Sequence, residues 1–255
     1  MGMMGEMMGG TMGTHSALGP EIWQWLGVSS TATVTTQLFK RGLRRMHMTG
    51  VRPVSRGRRL MGEALTLRYI PAREDLDVVE VFQNPEHPQR KAIELTGPGQ
   101  VLVIDARGDT RAASAGHILV TRLLRRGAAG LVTDGALRDS PAIAEMEFPV
   151  YAAAASPAMN LTVHHAVDIG VPIGCGGVPV FPGDLVFGDE EGIVVVPRHL
   201  APDVARDAAE QERLEGFILS KVESGAALPG TYPPDARTLE EYQAWVARGG
   251  RHRDG

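Results

Sequence analysis

Between Val101 and Gly135 the chain alternates two kinds of apolar pattern, and that alternation restricts its fold more than any other feature. VLVIDA (Val101–Ala106) is a short continuous run of the kind a buried strand needs. AGHILVTRLLRR (Ala115–Arg126) spaces its apolar residues three and four apart, the period of a helix with one buried face, and Gly127 supplies the stop. AGLVTDG is again a strand, ending in an Asp-Gly turn. Upstream, LMGEALTLRYI from Leu60 alternates as a half-buried strand does. Beyond Phe148 the segments FPVYA, VDIGVPIGCGG, VPVFPGDLVFGD and GIVVVP are short β-branched runs cut by Gly and Pro. The pattern predicts a mixed α/β chain, and 31 glycines and 17 prolines in 255 residues argue against a helical bundle.

Flanking signals set the boundaries. Residues 1–20 begin MGMMGEMMGGTM, a Met/Gly-rich stretch expected to be a disordered tail, and residues 21–225 read as one domain. Ser29 and Ser30 offer N-caps to a helix over about Ala32 to Arg41, and a longer helix is expected over Pro202 to Glu223. Residues 226–255 are interrupted by proline and end in a short helix, with Tyr242 and Trp245 expected outward, an arm suited to docking on a neighbouring subunit. No stretch approaches the roughly 18–20 apolar residues of a membrane span, nor does the start resemble a signal peptide, so a cytoplasmic protein is expected. The single cysteine, Cys175, excludes an internal disulfide and any zinc site built on two thiolates. The net charge of −4 gives no general attraction to nucleic acid. Arg41, Arg44, Arg45, Arg52, Arg56, Arg58 and Arg59 cluster, but no aromatic residue is interleaved to stack bases, which favours a solvated or subunit-facing surface.

Chemistry concentrates in two loops. DGALRD (Asp134–Asp139) follows a buried strand and precedes a helix expected to begin at Ser140-Pro141, with serine as cap. Arg138 offers a planar fork for a carboxylate or enolate, and Asp139 a hard oxygen for Mg²⁺ or Mn²⁺. The competing possibility is that Asp139 and Ser140 only cap the helix while Arg138 faces solvent. GDTRAASAGHIL (Gly108–Leu119) joins a strand to a helix whose first amides, around Gly116, Ile118 and Leu119, suit an anion. His117 there can be a metal ligand, a general acid/base or simply a helix-start residue. Ser114, in an Ala-x-Ser-x-Gly context, lies too far from its strand to be a nucleophile elbow. His164, His165 and Asp168, taken at helical spacing, do not share one face. The 26 basic residues include only three lysines, Lys40, Lys91 and Lys221, so imine chemistry has few possible sites and arginine cannot replace it.

In this order, the Gly116–Leu119 loop, RGAAGLVTDGALRD, FPVYA and PGDLVFGDEEGIVVVP resemble the RraA-like family, over about Ser29 to Gly225. That group holds class II 4-hydroxy-4-methyl-2-oxoglutarate/4-carboxy-4-hydroxy-2-oxoadipate aldolases and regulators of ribonuclease activity. The resemblance implies an α/β fold, a layered β/β/α sandwich of the swivelling-domain type, assembled as homotrimers or homohexamers with sites between subunits. It implies Asp139 as the ligand of Mg²⁺ or Mn²⁺, Arg138 as the arginine that holds a 2-oxo acid and its enolate, and the amides of Gly116, Ile118 and Leu119 as its carboxylate site. The implied activity is retro-aldol cleavage, with oxaloacetate decarboxylation or elimination from a sugar acid as variants; the alternative is a non-catalytic, protein-binding regulator of ribonuclease activity. His117 stands where the aldolases carry an acid. A glutamate from a neighbouring subunit also contributes in the aldolases, and Glu215, or else Glu212, is the candidate. NPEHPQRKAIE and the C-terminal tail exceed a minimal member, which suggests a different substrate end-group.

Overall fold

The computed structural model describes residues 18–250; most of the Met/Gly-rich segment 1–20 lies outside the described residues. The N-terminal part contributes α1 (Pro20–Gly27), α2 (Thr31–Lys40), β1 (Arg52–Pro53), β2 (Leu60–Pro71) and α3 (Pro88–Leu95). The middle alternates through β3 (Gln100–Asp105), β4 (Ala113–Ala115), α4 (His117–Arg125), β5 (Gly130–Thr133), β6 (Ala136–Leu137), α5 (Ser140–Ala144), β7 (Val150–Ala152) and β8 (Ala154–Ala155). Next come β9 (His164–Ile169), β10 (Ile173–Cys175), β11 (Val178–Val180), β12 (Leu185–Asp189) and β13 (Gly192–Val196), then α6 (Ala201–Glu223) and α7 (Ala236–Ala247). Among the described residues no helix is long and apolar enough to cross a membrane.

One large sheet runs β1-β7-β5-β3-β2-β12-β13, with β9 also on β2. The length of β2 explains this. One edge takes β3 in parallel over Glu63–Arg68, while the other pairs antiparallel with β12 and then with β9. β3, β5 and β7 are mutually parallel. Met46–Met48 hydrogen-bonds to β13 (Val195 N to Met46 O and Met48 N to Ile193 O, each 2.9 Å) and leads on to β1 at the far edge, so the sheet is nearly closed.

Val101 to Ile104 are all buried, which is why VLVIDA shows no alternation: its strand is covered on both faces. Val101 and Val103 join a core with the β10–β11 hairpin, α1, α2 and α6. Leu102 and Ile104 join a second core with α3, α4 and α5. Hairpin, sheet and helices give the β/β/α layering. The chain then breaks out of β3, β5 and β7 into a small parallel sheet, β4-β6-β8. Asp134 ties that break together. Its buried carboxylate accepts from the amides of Ala106 (2.7 Å), Gly108 (3.0 Å) and Gly176 (3.2 Å), and burial raises its pKa.

The C-terminal helices correct one expectation. Tyr242 is buried rather than outward: its hydroxyl donates to Glu210 (2.8 Å), and its ring and that of Trp245 lie 5.7 and 5.6 Å from Phe217 of α6. Lys221 pairs with Glu241 across the same contact. Through these contacts α7 packs on α6 of its own chain.

Candidate active site

The parallel pairing of β4 with β6 puts two strand-to-helix loops side by side. Ala115 lies opposite Leu137, and the Arg138 amide donates to the Ala115 carbonyl (3.1 Å). Each loop opens a helix at once, α4 after Gly116 and α5 after Asp139. Asp139, not Ser140, takes the cap position of α5, and it does so in the left-handed region (φ 59°, ψ 27°), which a non-glycine residue adopts only at a cost. Its carboxylate makes no bond to its own helix. Oδ2 accepts instead from the His117 amide (3.2 Å) at the N-terminus of α4, where helix dipole and free N–H groups favour negative charge. Asp139 is thus more than a cap. Arg138 Nε lies 3.7 Å from the same oxygen, and both side chains are about half exposed. Gly116 makes this approach possible: a Cβ there would meet Arg138 Cγ at 2.7 Å and Asp139 Oδ2 at 2.9 Å.

These groups border a cavity of about 230 Å³. Ala113, Ala115, Gly116, Ile118, Leu119, Arg138 and Asp139 form one side, and Phe82, Gln89, Arg90, Met159 and Asn160 complete it. The amides of Gly116 and Ile118 have no acceptor among the described residues. That of Leu119 is not free as expected: the first turn of α4 is tight, and Leu119 N donates to Gly116 O at 3.0 Å. His117 contributes its amide, while its side chain is not among the groups lining the cavity. Glu215 is not brought to this cavity either. It accepts from Gln211 (2.8 Å) on α6, which packs with α1 and α2 on the other face of the sheet from α4 and α5. Glu212 is occupied at the start of α2, accepting from Ser30 N (2.8 Å) and Thr33 Oγ1 (2.6 Å).

Behind the cavity the Ser114 carbonyl accepts from Tyr69 Oη (3.1 Å) and Gln89 Nε2 (2.7 Å), and Ser114 Oγ shares a hydrogen bond with Thr133 (3.0 Å). Ser114 is fully buried, so it is structural. Burial pushes the Tyr69 phenol far above its ordinary value, which keeps it a neutral donor. No lysine lines the cavity. Among the described residues no cluster of three or more His, Cys, Asp or Glu could hold a metal. A single half-exposed carboxylate does not suit zinc, but it fits Mg²⁺ or Mn²⁺, hard ions that take one or two carboxylates and complete their shell with water and substrate oxygens.

The remaining candidates disperse. His164, His165 and Asp168 sit on strand β9, not a helix: His164 is buried against the Ala112 carbonyl (3.2 Å), His165 bonds Asp77 (2.8 Å), and Asp168 pairs with Arg68. Cys175 is buried, and burial raises its thiol pKa. In the arginine stretch Arg41 pairs with Asp207, Arg58 with Glu147 and Arg59 with the carbonyls that end α1, while Arg44, Arg45 and Arg56 are exposed. Sequence reading missed Phe82, Gln89, Arg90 and Asn160. For Gln89 and Arg90 the signal available was the polar, proline-marked segment NPEHPQRKAIE, whose length stood out but whose position did not; nothing local marked Phe82 or Asn160.

A model of the RraA-like family (Aldolase/RraA) matches residues 31–195, more than half of the chain. A Halalkalibacterium halodurans protein named "Putative 4-hydroxy-4-methyl-2-oxoglutarate aldolase" is 33% identical over 162 residues, covering 64% of this chain and 71% of its own. One of the same name from Ectopseudomonas mendocina is 36% identical over 112 residues, 44% of this chain and 68% of its own. Among solved structures, RraAS2 of Streptomyces coelicolor, described as an unusual member of the RNase ES inhibitor RraA protein family, is 31% identical. Its TM-score is 0.70, with 80% of this chain and 98% of that chain covered. An uncharacterized protein from Pseudomonas syringae is similar in fold, with TM-score 0.72 and 24% identity over 86% of this chain and all of its own.

Proposed function

The chain belongs to the RraA-like family, and from that premise we propose that it is a divalent-metal-dependent lyase that cleaves a 4-hydroxy-2-oxo acid through a pyruvate-type enolate. The observation that carries this is Asp139, held in a left-handed backbone with its carboxylate on the α4 amide beside Arg138, at a cavity that no lysine lines. Asp139 would hold Mg²⁺ or Mn²⁺, which, when bound, supplies Lewis-acid withdrawal from the 2-oxo carbonyl. The N-terminus of α4, with the unpartnered amides of Gly116 and Ile118, would take the C1 carboxylate. Arg138 would donate to the oxygen that becomes the enolate, where a preorganised cation counts most. As the 4-hydroxyl proton leaves to solvent, the C3–C4 bond breaks and its electrons pass into the enolate, which is then protonated at C3 to give pyruvate. Among the described residues Asp139 is the only carboxylate lining the cavity. A catalytic role for His117 would need its ring to turn inward, and one for Glu215 a second copy of the chain, as in the expected homotrimer or homohexamer. Oxaloacetate decarboxylation would share the enolate and the same groups.

The test is a panel of 4-hydroxy-2-oxo acids, oxaloacetate and 2-oxo-3-deoxy sugar acids, assayed for pyruvate release with Mg²⁺ or Mn²⁺ and again after chelation. Wild-type protein should release pyruvate only with metal, and Asp139→Asn should lose at least about a hundredfold. Equal rates for wild type and variant would remove Asp139 from the mechanism. A second reading is favoured by the likeness to RraAS2: a non-catalytic regulator that binds a ribonuclease. Stable capture of an RNase E-type partner, with no turnover across the panel, would select it.

A further inference from the structure

Arg90 lines the same cavity as Arg138 and Asp139 but comes from a different element, the first turns of α3. Its surroundings are unusual for a surface arginine. Elsewhere on α3, Lys91 pairs with Glu86, and Glu94 takes both Arg122 and Arg126. Arg90 alone among the cations there has no carboxylate within ion-pair distance among the described residues. Its guanidinium carbon stands 4.3 Å from the centre of the Phe82 ring. A cation held over an aromatic ring is attracted to its face, which restrains the side chain, and the planar N–H fork of arginine suits a planar anion. The group is partly desolvated, which lowers its pKa while leaving it a cation at neutral pH. The nearby Tyr69 phenol is neutral and offers no countercharge. Two arginines therefore face one carboxylate around a cavity whose other walls are largely apolar.

We propose that Arg90 is a specificity-determining residue: it binds a carboxylate at the substrate end remote from Arg138, and so selects 2-oxo acids with a second negative charge. The inference rests on the proposed lyase reading, in which one substrate end is already taken by the α4 amides and Arg138. A second anion at Arg90 then sits on the fragment that departs as the carbonyl product. The small volume, below the roughly 300–1,000 Å³ of pockets for drug-sized ligands, suits a compact diacid.

The experiment compares full-length wild type, Arg90→Gln and Arg90→Lys, each checked by thermal melting. Calorimetry in Mg²⁺ measures binding of 2-oxoglutarate and 2-oxobutyrate, which share the 2-oxo acid end and differ at the other. Wild type should prefer 2-oxoglutarate. Arg90→Gln should weaken 2-oxoglutarate about tenfold or more, the loss of a charge-assisted pair, and 2-oxobutyrate by less than about twofold; Arg90→Lys should fall between. In the cleavage assay the loss should fall on KM for a diacid substrate rather than on kcat. Equal weakening of both compounds, or of neither, overturns the assignment, as does a wild type without preference. Arg90-dependent binding without pyruvate release from any 4-hydroxy-2-oxo acid would overturn the lyase reading and leave Arg90 in place. Cleavage that ignores the distal charge would do the reverse.

Discussion

Gly116→Ala isolates the close approach on which the candidate site depends. The backbone at Gly116 is extended (φ −135°, ψ 178°), a conformation alanine adopts freely, so no backbone strain enters. The methyl would instead meet Arg138 Cγ at 2.7 Å, Asp139 Oδ2 at 2.9 Å and Arg138 Cδ at 3.1 Å. Carbon atoms in good contact stand about 3.5–4.0 Å apart, so the pair must retreat by about 1 Å. Both side chains are half exposed and can move outward, which keeps the stability cost near or below about 1 kcal/mol, roughly 2–4 °C in Tm for a chain of this size. The same retreat pulls Asp139 Oδ2 off the His117 amide, because 3.2 Å leaves little margin before the bond is lost. A displacement of about 1 Å at reacting groups costs on the order of a hundredfold in rate. Expected, then, is a pyruvate-release kcat/KM about a hundredfold lower, with a nearly unchanged melting curve. Gly62→Ala in β2 is the control. Its methyl would meet the Gly99 carbonyl at 2.7 Å and Ala129 Cβ at 2.9 Å, backbone and packed atoms that cannot swing away, so its loss should appear in Tm instead. Wild-type kcat/KM in Gly116→Ala would refute the reasoning, and a collapse of Tm matching the activity loss would move Gly116 from the site to the fold.

Asp139→Gly removes the left-handed penalty, so Tm should hold or rise, by up to about 1 kcal/mol of stability, while metal-dependent turnover disappears; differential scanning calorimetry beside the assay checks both. Asp134→Ala strips the acceptor from three main-chain amides at the break between the sheets, and urea titration should show a loss of about 3 kcal/mol or more. The Arg111 guanidinium beside Asp109 holds its carboxyl down at about 2, below the unfolded value of 3.8. A depressed folded pKa contributes stability that is present above about 3.8 and lost as pH falls toward 2. Arg111→Gln should therefore lower urea midpoints near neutrality and converge with wild type only as pH falls to about 2; parallel curves over the whole range would count against the pairing.

Much of the fold was legible because its signals are local. The α4 stretch announced itself by spacing and by Gly127, and Ser30 caps α2 through Thr33 as its residue type suggests. Where local signals were read at the wrong period, the error is traceable. His164, His165 and Asp168 were tested at helical spacing but lie on β9, where neighbours face opposite ways and each finds a separate partner. Tyr242 and Trp245 looked outward because an amphipathic helix shows which face is apolar and not what covers it; Phe217 does. At the site, Arg138 and Asp139 were readable as residue types after a strand. The left-handed turn that takes the carboxylate off its own helix and onto α4 was not, since it depends on the β4–β6 register.

The division follows the range of the forces involved. Strand and helix alternation, helix stops, the near absence of lysine and the presence of one Arg-Asp pair after a buried strand are properties of neighbouring residues or of the count, and the amino-acid sequence determines them alone. Only tertiary structure could decide that Asp139 answers to His117, that α6 carries Glu215 to the other face of the sheet, and that Arg90, resting on Phe82, shares a cavity with Arg138. Those contacts join segments far apart in the chain. They exist because strand register and the packing of helices on two faces of one sheet bring the segments together, and no local pattern encodes that distance.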